Sequence, residues 1–130
     1  MSECLSIRKN KVNIISWGRS SFEFRVMSYL SPFDQWKPFD TTKFDRGIEE
    51  LREKLIEVEE QLESRKEILN HLNYEDSCTW LAYTQELKDE YKAIQEAIKN
   101  LKTIKEVCEE PVYGDDWEHE VPINLEWCRG

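Results

Sequence analysis

The longest regular pattern in this 130-residue chain runs from Phe44 to Cys108. In its first half apolar residues fall at Phe44, Ile48, Leu51, Leu55, Val58, Leu62, Leu69 and Leu72, in alternating steps of four and three until a single step of seven. A repeat of about 3.5 residues is the mark of helices packed along a continuous seam, narrower than the stripe of a lone surface helix. Arg65 occupies the seam position between Leu62 and Leu69. The second half repeats the spacing with Trp80, Tyr83, Leu87, Tyr91, Ile94, Ile98, Leu101 and Cys108, and Ala93 and Ala97 beside them. Between the halves, Asn70 to Ser77 is rich in residues that bond their own backbone and open turns. A short connection makes the two helices antiparallel neighbours. At 1.5 Å per residue each arm spans on the order of 45 Å. Ile56, Ile68, Tyr74 and Leu81 lie off the seams, so the rod has more apolar flank than one partner helix covers. Homo-oligomerisation through the hairpin is the expectation.

Ahead of the hairpin the period changes. Leu5 and Ile7, then Val12 and Ile14, alternate with polar neighbours around a tight turn at Arg8-Lys9-Asn10-Lys11. After a break at Gly18-Arg19-Ser20, the residues Phe22, Phe24, Val26 and Ser28 again alternate, the period of a strand. Residues 4–30 therefore read as a three-stranded antiparallel meander. Beyond the hairpin, Pro111 stops the second helix and an acidic turn follows. Val121, Ile123, Leu125 and Trp127 then alternate as a last strand, which Pro122 places at a sheet edge. The predicted fold is α+β, in the order β-β-β-α-α-β, as a single domain over residues 1–130.

Residues 31–44 interrupt both periodicities. Pro32 and Pro38 exclude regular structure, while Phe33, Trp36, Phe39 and Phe44 are too apolar to stand free in water. One reading straps this loop across the junction of sheet and helices, its rings filling the seam. The other makes Phe33, Trp36 and Phe39 an exposed platform for a partner or ligand. Thr41 or Thr42 is expected to cap the first long helix, with Asp45 placed as in a capping box.

Charge narrows the function. The formal net charge is −9, spread as +3 over residues 1–44, −6 over 45–108 and −6 over 109–130. An acidic chain is disfavoured for the phosphate neutralisation that drives nucleic-acid binding, and suits a basic partner or mimicry of a nucleic acid. No apolar run approaches the length of a membrane span and no leader pattern is present, so a cytoplasmic protein with no membrane association is expected. Four scattered cysteines argue against a zinc site or a secreted disulfide framework.

Chemistry is sparse. Asp115, Asp116, Glu118, His119 and Glu120 are a cluster of hard metal ligands without the spacing of a calcium loop, and read as a solvated acidic turn. His71 and Cys78 have nothing to orient them as base and nucleophile. Phosphate-binding glycine loops are absent. Neither a cofactor nor a metal is expected. Arg65 on a leucine seam either snorkels to solvent or, with Arg19 or Arg25, recognises an anionic group at a subunit junction.

The preferred expectation is a non-enzymatic, oligomeric, acidic binding protein that works by occupying a macromolecular partner. That is the general character of small phage-encoded inhibitors of host defence, a comparison of type that no motif carries. The alternative binds a small anionic, nucleotide-like ligand between subunits, with Trp36, Phe39 and an arginine converging on one pocket. A third class, an enzyme, would need a metal in the Asp115–Glu120 cluster.

Overall fold

A computed structural model of the chain describes residues 3–30, 35–71, 74–115 and 119–130, with the side chains of 74–77 outside the description. Strands β1 (Cys4–Lys9) and β2 (Val12–Gly18) form a hairpin whose turn residues, Asn10 and Lys11, both have positive φ, 51° and 67°. That is the geometry a two-residue turn needs to match strand twist, and asparagine tolerates it well. Helix α1 (Phe22–Leu30) follows, then a two-residue strand β3 (Lys37–Pro38) and the long helices α2 (Thr42–Leu69) and α3 (Tyr74–Glu109). β4 (Val112–Tyr113) and β5 (Glu120–Val121) make a small ribbon, and β6 (Leu125–Arg129) closes the chain.

The fold is α+β: N-terminal antiparallel strands, a long helical hairpin and a C-terminal strand that returns to the sheet. β1, β2, β3, α2, α3 and β6 keep the order β-β-β-α-α-β. Two expectations are corrected. Residues 22–28 are helix and not a third meander strand. Ser21 caps α1 by accepting from the Phe24 N–H at 3.1 Å, and its own hydroxyl donates to the Gly18 carbonyl at 3.0 Å. Over so short a run the alternation at Phe22, Phe24 and Val26 is equally compatible with a helix burying Glu23, Phe24 and Met27. The last strand is also displaced. It begins at Leu125, and Pro122 lies outside it; β6 sits inside the sheet, whose order is β2-β1-β6-β3.

The inner face of the sheet contributes Leu5, Ile7, Trp17 and Trp127 to one core with Phe24 and Met27 of α1 and the seams of α2 and α3. Gly47 sets how closely α1 approaches. A Cβ there would lie 2.8 Å from Met27 Sδ and 3.1 Å from Val26 Cγ1. Gly47→Leu should wedge α1 off the hairpin and destabilise the protein by about 1–3 kcal/mol, as overpacking does. A urea midpoint equal to that of the wild type would show that α1 does not rest there.

Over the described residues the α2 seam is the expected one, Phe44, Ile48, Leu51 and Val58 being buried and Leu55, Leu62, Arg65 and Leu69 half-buried; Leu72 lies outside them. On α3 the seam holds Thr84 in place of Tyr83, which is 53% exposed. Thr84 fits the heptad of Tyr91 and Ile98, and its hydroxyl donates to the Trp80 carbonyl at 2.7 Å, which removes the cost of burying it. Thr41, one of the two expected threonines, holds the N-cap position of α2, but its side chain makes no capping bond. Asp40 accepts from the Thr42 hydroxyl and from the Thr42 N–H, the latter at 3.0 Å, and the hydroxyl's bond above all holds its carboxyl below the usual range. Asp45 instead pairs with Lys105 across the hairpin at 2.8 Å. Lys9 of β1 donates to the carbonyls of Val107 and Glu110, tying the sheet to the end of α3 where helix carbonyls lack partners.

Candidate binding surfaces

The sheet and α1 cover only one end of the hairpin. At roughly 1.5 Å per residue α2 is about 42 Å long and α3 about 54 Å. From Leu62 onwards no α2 residue is buried, and among the described residues the far half is two helices with no third layer. Arg65 sits there on the seam. Its guanidinium carbon lies 5.4 Å from the centroid of Trp80 and 5.9 Å from that of Tyr83. Both rings present π-faces to a cation, an attraction of about 0.5–2 kcal/mol depending on desolvation. One terminal nitrogen, Nη1, is buried and donates to no acceptor among the described residues. Arg65 and Trp80 line a groove with Glu57, Glu60, Ser64 and Ile68. Tyr83, which Arg65 also faces, is more than half exposed, as are Ile56, in a separate groove with Glu59 and Tyr91, and Leu81.

The loop reading divides between its residues. Phe39 is a packing residue: its ring stacks on Trp127 at 5.1 Å and meets Phe44 edge-on at 5.7 Å. Trp36 stands on the outside, 38% exposed, with the Arg8 guanidinium 4.1 Å from its centroid. Arg8 is itself ion-paired with Glu126, its cross-strand neighbour on β6. Phe33 lies outside the described residues. Arg8 was not among the expected site residues. Its role depends on β6 pairing with β1, and only strand alternation around Arg8 and Glu126 hinted at it.

Arg19 and Arg25 share a second groove with Ser20, Phe24 and Ser28 at the junction of β2 and α1. Arg65 does not join them. It is 18 positions beyond Gly47, where α2 meets α1, hence roughly 27 Å further along the helix. Trp36, Phe39 and an arginine likewise form no common pocket, since Phe39 is in the core and the cation over Trp36 is Arg8.

Of the acidic turn, Asp116 and Glu118 are outside the described residues; among those described, no group of three or more ligating side chains could hold a metal. His71 and Cys78 are both exposed. Cys108 is buried, and burial pushes its thiol from 9.0 up to about 11, with Lys9 opposing and Glu109 adding slightly. A thiol with so high a pKa is a poor nucleophile. Its raised pKa also means that stability is lost as pH climbs from about 9 towards 11, because the unfolded chain gives up the proton first. Alkylation at pH 8 should modify Cys78 rapidly and Cys108 only when the protein unfolds. Equal rates by peptide mass mapping would contradict the burial of Cys108.

No family model matches this chain, and neither a curated protein nor a solved structure matches it. Among the described residues no helix is long and apolar enough to cross a membrane.

Proposed function

We propose that this is a non-enzymatic, oligomeric, acidic binding protein that acts by occupying a macromolecular partner, in the manner of small phage-type inhibitors of host defence. The far half of the hairpin is its contact surface. One observation carries the reading: on the half that no other described element covers, Arg65 lies between Trp80 and Tyr83 with a buried donor unanswered among the described residues, beside exposed Ile68. Aromatic and arginine side chains over a groove are the usual anchors of an interface, and an acceptor from the partner would remove the cost of the orphaned Nη1. Six carboxylates against three cations between Glu53 and Glu67 surround the groove and favour a basic partner surface.

Ile68→Glu with Tyr83→Glu tests it. Both side chains are exposed, so the fold should hold to within about 0.5 kcal/mol per site. Capture of the partner from host lysate by the full chain should fall by roughly tenfold or more. Undiminished capture by the double variant, with an unchanged mass by light scattering, would place the contact elsewhere.

A further inference from the structure

We infer that the open edge of β2 binds an extended, acid-ended peptide strand of another protein, a second interaction surface independent of the hairpin. The two edges of the sheet differ in kind. β3 closes one edge with only two residues and ends on Pro38, which has no N–H to offer. β2 forms the other with seven residues, Val-Asn-Ile-Ile-Ser-Trp-Gly, spanning roughly 23 Å. Of the devices that keep an edge from pairing it carries neither charge nor proline, and its single bulge is confined to its first half. Its one irregularity is the extra residue Ile14, since Ile7 pairs with Ile15 while Arg8 pairs with Asn13. Beyond that bulge Ile15 to Gly18 runs regularly towards Arg19. Alternate backbone groups of an edge strand point away from its neighbour, which leaves a ladder for an incoming strand.

Charge decides what the strand carries. Arg19 and Arg25 are exposed where β2 ends, in the groove with Ser20, Phe24 and Ser28. Among the described residues no carboxylate lines that groove, whereas the grooves described along the hairpin each contain at least two. The ring of Phe22 beside it holds two cations, the Arg25 guanidinium at 5.2 Å and Lys54 Nζ at 5.0 Å. In a chain of net charge −9 this is a local positive patch. A strand running antiparallel to β2 would bring its N-terminal side chains over Arg19 and Arg25, where carboxylates are favoured. A second copy fits badly. Pairing β2 with itself about Ile15 sets Lys11 opposite Arg19 at both ends, and like charges directly opposed destabilise a strand pair. Nor does β2 bring a carboxylate to the two arginines.

The probe is an octapeptide of two aspartates followed by alternating valine and threonine, with a twin in which lysines replace the aspartates. Each is titrated into the full-length chain, reading backbone amide shifts and hydrogen exchange. The acidic peptide should slow exchange at β2 amides between Ile14 and Gly18 and bind roughly tenfold more tightly than its twin. Arg19→Glu with Arg25→Glu, both exposed, should reverse the preference while leaving the melting temperature unchanged. Absence of protection at β2 by the acidic peptide overturns the proposal, as does equal binding of the two peptides. Protection of β2 without peptide, in a sample whose mass is that of a dimer, would give the edge to a second copy and overturn it too. Because Ile68→Glu and Tyr83→Glu leave β2 untouched, failure here and failure of the hairpin reading are separable.

Discussion

Replacing Trp127 by alanine should lower the folding free energy by about 3–5 kcal/mol, a large part of the 5–15 kcal/mol typical of a domain. Trp127 is 4% exposed and lies on the inner face of β6, paired with Ile7 of β1 on one side and Lys37 of β3 on the other. Its ring is stacked on Phe39 at an interplanar angle of 19°. Removing it leaves a cavity where sheet, strap and helices meet, and the two-residue strand β3 has little else to hold it. Urea unfolding of Trp127→Ala, Phe39→Ala and Trp36→Ala reads the loop residue by residue. The first two should be strongly destabilised, Trp127→Ala more so. Trp36→Ala should cost under about 1 kcal/mol, since Trp36 is partly exposed and contributes mainly one cation–π contact. A melting temperature of Trp127→Ala within a few degrees of wild type would mean that the strap is not part of the core.

Leu101→Ala is the second large effect, about 2–5 kcal/mol. Leu101 is fully buried on α3, and its Cδ1 lies 3.6 Å from where a Cβ of Gly47 would stand, at the meeting of α1, α2 and α3. Leu62→Ala should cost clearly less. Leu62 is also a seam residue, yet it is only half-buried, since no third element among the described residues roofs that part of the seam. The same gradient should appear in amide exchange, with slow exchange near Leu51 and Leu101 and faster exchange beyond Val58. Equal costs for Leu101→Ala and Leu62→Ala would show that the far half of the hairpin is as well packed as the near half, and would weaken the case for an uncovered docking surface.

The candidate sites were legible to different depths. Arg65 stood out by breaking a leucine repeat, and the structure keeps it on that seam; its aromatic neighbours Trp80 and Tyr83 depended on how α3 is rotated. Aromatic character and a three-residue step from Trp80 point to Tyr83 as the seam residue. The register favoured Thr84, a polar residue made burial-tolerant by its bond to the Trp80 carbonyl. Phe39 and Trp36 sit in one apolar segment, and nothing local separates them. Their fates diverge because β6 offers Trp127 to Phe39 and β1 offers Arg8 to Trp36.

By itself the sequence determined the helical hairpin, the β1–β2 turn, the α+β class and the uneven charge. Each follows from interactions within a few residues or from a repeat sustained over many heptads, where the periodic signal accumulates. Tertiary structure decided the short elements. Whether residues 22–30 became strand or helix turned on the niche at Gly47 and on the bond from Asn100 to buried Glu23 at 3.0 Å. Whether β6 lay at an edge or inside turned on β1 and β3 both pairing with it. Over nine or five residues the local preferences are too small and too nearly balanced to choose. Burial against partners far away in the chain, worth several kcal/mol, makes the choice.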